Sequence, residues 1–281
     1  MCFEHRTFTI AKDTYQPQEN QDAAACDPAR GIAAMADGAS SSLQSGRWAR
    51  LLVESVIAQP PNVADAAVWN EWLGAAREAW RSGIDETSLA WHQKARLADG
   101  AFSTLTWLTL RPGANGALLL AALAIGDTCL LHLRGGTVRR CFPLEDSNLF
   151  SSDPVLLGSA PRIAAHDLEF SALEGTCQQG DLLVLATDAV AAWALKQLEA
   201  GKPLGLESLW DFNQEDFARW IQRLRKEQQI RYDDSTVMLL RISTESLQSP
   251  PDAAREKTGD PLAQLGKWAR QLWPAPTSSV E

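Results

Sequence analysis

Three apolar runs in this chain stop in the same way. IAAMADG closes on Asp37, LAALAIGD on Asp127 and LLVLATD on Asp188, while Asp233-Asp234 stands directly before a fourth run, STVMLLRI. Short apolar runs bounded by turn residues read as buried strands. A single Asp at such a place is ordinary turn chemistry, because its side chain caps nearby backbone and Asp-Gly is itself a hairpin signal. The set is more restrictive. In an antiparallel sheet the C-end of one strand lies beside the N-end of its neighbour. Asp37, Asp127 and Asp188 at strand ends, with Asp22 and Asp233 at strand starts, can therefore gather on one edge.

The segment QDAAACDPARGIAAMADG carries two members of that set on one predicted hairpin. Asp27-Pro28-Ala29-Arg30-Gly31 is good tight-turn chemistry. Facing positions then sum to roughly 57 to 59, which sets Asp22 opposite Met35 to Asp37. Two carboxylates so placed repel unless a proton or a cation lies between them. All-oxygen ligation by Asp, backbone carbonyl and water suits Mg²⁺ or Mn²⁺ and not Zn²⁺. None of His5, His92, His132 and His166 has ligand spacing to another, so each reads as a surface or packed histidine. Two divalent ions about 3.5–4 Å apart activate a water and clamp phosphate oxygens, the chemistry of phosphate-ester hydrolysis.

The rest of the composition excludes alternatives. With 26 basic and 35 acidic side chains the formal charge is -9, and a phosphate backbone needs a basic face, so nucleic acid is a poor partner. Five cysteines are odd in number and show no C-x-x-C spacing, which argues against a disulfide framework or a zinc knuckle. The apolar runs are too short to span a bilayer and the first residues lack a signal-peptide core. A soluble, cytoplasmic protein in a reducing compartment is expected. The loops of P-loop nucleotidases, zinc proteases and serine hydrolases are missing.

Along the chain, RTFTIA is predicted as a first strand and the stretch from Leu43 to Ala58 as a helix stopped by Pro60-Pro61. A second helical stretch runs from Val63 to about Arg96 with a break at Gly83, its apolar face assigned to Val68, Trp72, Ala75, Ala76 and Ala79. AFSTLTWLTLR is apolar on both faces and reads as a central strand. CLLHLR and TVRRCF flank Gly135-Gly136, a two-residue hairpin signal. Helices are expected over Ala189–Leu198 and Glu215–Gln228. Roughly eight strands, segregated from helix runs, favour antiparallel sheets with helices packed outside, an α+β class. After residue 242 the composition turns polar and Pro-bearing. Residues 243–281 read as a linker ending in a short amphipathic helix with Leu262, Leu265, Trp268 and Leu272 on one stripe.

The ordered motifs N-Q-D-A (Asn20 to Ala23), A-x-A-D-G (Ala34 to Gly38), I-G-D-T (Ile125 to Thr128), L-A-T-D (Leu185 to Asp188) and D-D-S-T-V (Asp233 to Val237) resemble the metal-dependent serine/threonine protein phosphatases of the 2C type, most of all their compact bacterial branch. The resemblance implies a four-layer α-β-β-α sandwich over residues 1–242, two mainly antiparallel sheets flanked by helix pairs. It implies two Mn²⁺ or Mg²⁺ ions: Asp37 bridging, Gly38 giving its carbonyl, Asp188 and Asp233 on one ion, Asp22 ordering water around the other. The family order D-N-x-T-V selects Asp233 over Asp234. A water between the ions is then the nucleophile, and the substrate is a phosphoserine or phosphothreonine protein, with a kinase acting in opposition.

The chain departs from that pattern in places. Gln21 stands where an acidic residue often precedes the first Asp, Ala39 follows Asp-Gly, and Ala189 follows Asp188. Asp127 matches a ligand of a third ion, but the second acidic ligand after Asp188 is missing. The usual phosphate-holding Arg would fall near Pro17, leaving Arg6 and Lys12 as substitutes from the first strand. A competing expectation is therefore a weakly active or inactive phosphatase-fold module that binds or regulates, with the eleven tryptophans as a possible interaction surface.

Overall fold

The computed structural model describes residues 2–243 apart from 88, 114–115, 152–153 and 161–168. The predicted C-terminal helix and linker lie outside the described residues. The first strand, β1, is Phe3–Ile10. The predicted hairpin forms from β2 (Asp22–Asp27) and β3 (Ile32–Asp37), with Asp22 directly opposite Asp37. The Asp27 carboxylate accepts the N–H groups of Ala29 and Arg30, and Gly31 takes a positive φ of 69°, so the turn uses the chemistry expected of it.

Two helices follow, α1 (Ser45–Ala58) and α2 (Ala66–Ser82), then the short α3 (Trp91–Leu97). The single predicted stretch from Val63 to Arg96 is therefore two helices, parted where expected at Gly83. Its buried face is Trp69, Leu73, Ala76 and Trp80, one position on from the predicted set; Val68 is exposed. The error has a physical cause: alanines fit either flank of an amphipathic stripe, and only the sheet's position chooses which tryptophans go under.

The short β4 (Phe102–Ser103) precedes β5 (Leu105–Pro112), β6 (Leu118–Ile125), β7 (Cys129–Arg134) and β8 (Thr137–Phe142). Gly135 and Gly136 both have positive φ, the two-residue turn that the right-handed strand twist favours. Beyond them come β9 (Leu157–Gly158), β10 (Ser171–Cys177), β11 (Leu182–Ala186), α4 (Asp188–Glu199), α5 (Gln214–Lys226) and β12 (Ser235–Ile242). The strands outnumber the predicted eight, partly because β4 and β9 are only two residues long.

One five-stranded sheet has the order β1-β12-β11-β7-β8 and the other β10-β6-β5-β3-β2, with every neighbouring pair antiparallel. β5 is the central strand of its sheet, as its two apolar faces foretold. Alternation along single strands sorts side chains into three apolar layers. Ile32, Ala34 and Ala36 of β3 pack under Trp48, Leu52 and Trp69 of α1 and α2. Ala33 and Met35 turn inward to meet Leu183, Leu185, Met238 and Leu240 of the other sheet. Val184 and Leu239 face α4 and α5, against Ala191, Leu195, Phe217 and Ile221. The α-β-β-α sandwich follows because strands covered on both faces need apolar residues at every position. Each such Leu or Val contributes about 1.5–3 kcal/mol relative to exposure.

Candidate metal centre

The ladder registers bring the five Asp positions to one edge of the sandwich. Asp22 and Asp37 are cross-strand partners. Ala186 pairs with Val237 and with Cys129, so the chain beyond β11 runs out beside the starts of β12 and β7. Ile125 pairs with Leu105, and the Thr104 N–H donates to the Asp37 carbonyl at 2.9 Å. A cavity of about 410 Å³ at this edge is walled by Asp37, Gly38, Asp127, Asp188 and Asp233, with Arg231 beside them. Asp22 does not line that cavity; it lies behind Asp37, 9% exposed.

Buried threonines hold the acidic residues in place. Thr187 Oγ1 donates to Asp22 Oδ2 at 3.1 Å and accepts from the Thr236 N–H at 3.1 Å, linking one sheet's carboxylate to the other sheet's strand. Thr104 Oγ1 accepts from the Asp37 N–H at 2.9 Å and lies 2.7 Å from Thr128 Oγ1. Thr128, Thr187 and Thr236 belong to strand ends already marked by an Asp, and a β-branched residue both favours strand and carries the hydroxyl.

Asp233 and Asp234 part company. The Asp234 carboxylate accepts the N–H groups of Lys12 at 2.7 Å and Gln21 at 2.8 Å, tying the end of β1 to the entry of β2. It is 4% exposed and committed to backbone. Asp233 faces the cavity, its carbonyl held by Arg225 Nη2 at 2.6 Å.

The electrostatics are those of negative charge held without enough counter-charge. Burial, with repulsion from Asp234 and Asp188, pushes the Asp22 carboxyl up to about 8, although the Thr236 and Thr187 hydroxyls pull it back. Burial and then repulsion from Asp22, Asp188, Asp233 and Asp127 hold Asp37 well above the carboxylate range. Asp127 is raised to about 6, chiefly by burial and then by Asp188. Asp188 is raised by burial and by Asp233, against the pull of Arg231.

Three buried oxygens have no hydrogen-bond partner among the described residues at this edge: Asp22 Oδ1, Asp188 Oδ1 and Gln21 Oε1. An orphaned buried acceptor is costly, and oxygen acceptors without donors are what a hard cation requires. The donor set fits Mg²⁺ or Mn²⁺.

Two cations reach the cavity. Arg231 Nη1 donates to Asp188 Oδ2 at 3.1 Å, and its Nη2 donates to the Phe150 carbonyl at 3.0 Å. Sequence reasoning missed Arg231, although it stands only two residues before Asp233. Lys12 Nζ lies 3.7 Å from Asp233 Oδ1 and donates to Ser40 Oγ at 2.6 Å, at the cavity rim. Arg6, the other residue named for phosphate, is not brought there. It lies over the Trp210 ring, because its position in β1 shares a face with Phe8 and Ile10 toward the helices.

A second cluster, His132, Cys177 and Asp181, lies at the opposite end of β11 with ligand atoms within 4.8 Å of one another. It is a closed network: the Asp181 carboxylate accepts from Arg134 Nε and Nη2, each at 2.7 Å, and from the Gln178 N–H at 2.9 Å, with His132 Nε2 at 2.8 Å. The Asp181 carboxylate is already neutralised by Arg134, and His132 is packed against it as a largely buried histidine. All five cysteines are free, with Cys129 buried and Cys26 half-buried at the sheet margin. Among the described residues no helix is long and apolar enough to cross a membrane.

Two large antiparallel sheets between helix pairs, with acidic residues massed at one edge, define a metal-dependent phosphatase fold. The profile of the Protein phosphatase 2C family matches residues 12–239, and the chain belongs to that family. Solved structures with the same fold include bacterial phosphatases. PppA, a key regulatory component of T6SS in Pseudomonas aeruginosa, is 17% identical with a TM-score of 0.53, covering 86% of this chain and 99% of that one. The Mycobacterium tuberculosis serine/threonine phosphatase PstP/Ppp is 15% identical with a TM-score of 0.53, covering 86% and 100%. The catalytic domain of PstP in complex with two manganese ions is 15% identical with a TM-score of 0.51, covering 86% and 98%. At these identities the likeness is one of fold. No match was found among curated protein sequences.

Proposed function

We propose that the chain hydrolyses phosphoserine and phosphothreonine in proteins, using two Mn²⁺ or Mg²⁺ ions held at the acidic edge. The observation that carries this reading is the convergence of Asp22, Asp37, Asp127, Asp188 and Asp233 with orphaned buried oxygens among them. Asp37, the Gly38 carbonyl, Asp188 and Asp233 would hold the ions, with Asp22 behind Asp37, and Asp127 in the same wall would serve a third. Bound there, such ions supply a water of lowered pKa and neutralise charge on the phosphate. The chain's own part is to orient. Thr187 and Thr104 fix Asp22 and the Asp37 backbone, Arg225 fixes the Asp233 carbonyl, and Arg231 and Lys12 offer donors to phosphate oxygens at the cavity mouth. The opposing activity is a protein kinase, and the free cysteines accord with a cytoplasmic setting.

The pairing of Arg231 with Asp188 and of Lys12 with Asp233 favours one alternative, a binding module whose own cations occupy the ligand positions. The test is release of phosphate from an aryl phosphate and a phosphothreonine peptide by the full chain, with Mn²⁺ and with chelator. Activity that requires Mn²⁺ and vanishes in Asp37→Asn and Asp188→Asn without loss of fold is expected. No turnover by folded wild type with bound Mn²⁺ refutes the enzyme reading and leaves the module.

A further inference from the structure

Beside the acidic cavity, on the α1 side, lies a second concavity of about 630 Å³. Ser40 and Ser41 line the first and Ser42 the second, so the two adjoin along one short loop. Their charges are opposite. The second is walled by Arg47, Arg50 and Arg96, with Glu19 as its only carboxylate among the described residues, in a chain whose net charge is -9. Arg47 is already committed, donating to the carbonyls of Gly83 and Ala79 at the end of α2. Arg96 Nη1 reaches the Ser41 carbonyl at 3.3 Å. Arg50 is exposed, and among the described residues it has no hydrogen bond and no ion pair, not even with Glu54 one turn on.

The N-terminus of α1 opens on the same groove. Its N-cap, Gln44, sits in the left-handed region and provides no side-chain cap. Ser45, in the groove wall, is 1% exposed, yet its hydroxyl has no partner among the described residues. A helix start carries partial positive charge and unsatisfied N–H donors. Guanidiniums, a helix start and an unused hydroxyl are all complements of an anion.

We infer that this groove binds acidic residues flanking the phosphorylated side chain of the substrate protein, an inference that rests on the phosphatase reading of the adjacent cavity. The occupant is a stretch of polypeptide bearing carboxylates and not a lone oxyanion. Its wall runs from Gln18, Glu19, Asn20 and Gln21 before β2 to Gln93 and Arg96 of α3, Ser42 joins it to the loop that lines the phosphate cavity, and an extended peptide advances only about 3.4 Å per residue. Asp or Glu a few positions from the phosphoresidue then meets Arg50 and Arg96 while the phosphate faces Asp37 and Asp188. Without these arginines the acidic edge repels such a segment, so the groove sets which phosphoproteins are accepted.

The test uses three labelled peptides that share a non-hydrolysable phosphonate and differ in flanks: glutamate, serine or lysine. Binding to the full chain is read by fluorescence anisotropy with Mn²⁺, and kcat/KM is measured on the matching phosphopeptides. The glutamate-flanked peptide is expected to bind tightest. Arg50→Glu with Arg96→Glu loses that preference by up to about fivefold per arginine, the upper end for exposed ion pairs, and favours the lysine flanks, while aryl phosphate turnover stays unchanged. Equal binding of the three peptides by wild type, or an unaltered preference in the double variant, overturns the inference. Failure of wild type to hydrolyse aryl phosphate instead refutes the phosphatase reading, and the anisotropy order still judges the groove.

Discussion

Asp22→Asn separates charge from shape at the acidic edge. Asp22 is buried, and its carboxyl is raised from 3.8 to about 8 by burial and by its acidic neighbours. A carboxyl raised on folding binds a proton more tightly in the native state than in the unfolded one. Its penalty is therefore absent below the unfolded value, grows as pH rises and levels off only above about 8. At neutral pH the gap of about three units corresponds to about 4 kcal/mol of lost stability in chelator. Asparagine keeps an acceptor for the Thr187 hydroxyl and adds an amide beside Asp37. The variant should thus melt higher than wild type in chelator at pH 7, by up to roughly 8–16 °C for a domain of this size. The difference should shrink as pH falls toward 4. Added Mn²⁺ should narrow the gap, since wild type gains about 2.7 kcal/mol at a hundredfold excess over its dissociation constant, whereas the variant has lost a carboxylate from the site. Thermal scans across pH, with chelator and with Mn²⁺, measure both arms. A variant that melts below wild type in chelator at pH 7 refutes the reasoning, because Asp22 would then be stabilised by its hydrogen bonds more than it is opposed by its neighbours.

Arg231→Ala should raise the KM for aryl phosphate and weaken inhibition by inorganic phosphate, each about tenfold, with Arg231→Lys intermediate; tighter Mn²⁺ binding and faster turnover in the alanine variant would instead make Arg231 a competitor of the metal. At the other end of β11, burial raises the Asp181 carboxyl, but Arg134, the Gln178 N–H and His132 outweigh it and leave it lowered. Its stabilisation is therefore present above the usual carboxylate range and lost as pH falls, so Asp181→Asn should destabilise by about 2–3 kcal/mol at neutral pH and flatten the acid limb of a stability-against-pH curve. Gly126→Ala, at φ 92° with an added Cβ only 2.6 Å from Thr104 Cγ2, should cost about 1–3 kcal/mol in a denaturant titration and reduce activity by moving Asp127.

Much of the edge was legible because its signals are local. An apolar run that ends in Asp states both that a strand is buried and that a carboxylate lies at its end. The Asp27–Gly31 turn fixes which residues face each other, so the meeting of Asp22 with Asp37 needed only the spacing between them. The same holds for the doubly apolar β5 and for the Gly135-Gly136 hairpin. What failed was where the chain's pattern is degenerate. The buried face of α2 slipped by one position because alanines border the stripe on both sides.

Arg6 and Arg231 mark the remaining limit. Both are single arginines near a marked motif, and nothing local tells them apart. Strand parity turns Arg6 toward Trp210 on the helix face, while the turn before β12 carries Arg231 across to Asp188. Likewise the sequence could not show that Asp234 spends both oxygens on the backbone of Lys12 and Gln21, or that Arg50 and Arg96 from separate helices share one groove. Residue identity and spacing determined the strands, their ends and the number of carboxylates. The packing of two sheets and their flanking helices decided which charges meet, because side-chain direction and cross-sheet distance are set only when the layers close.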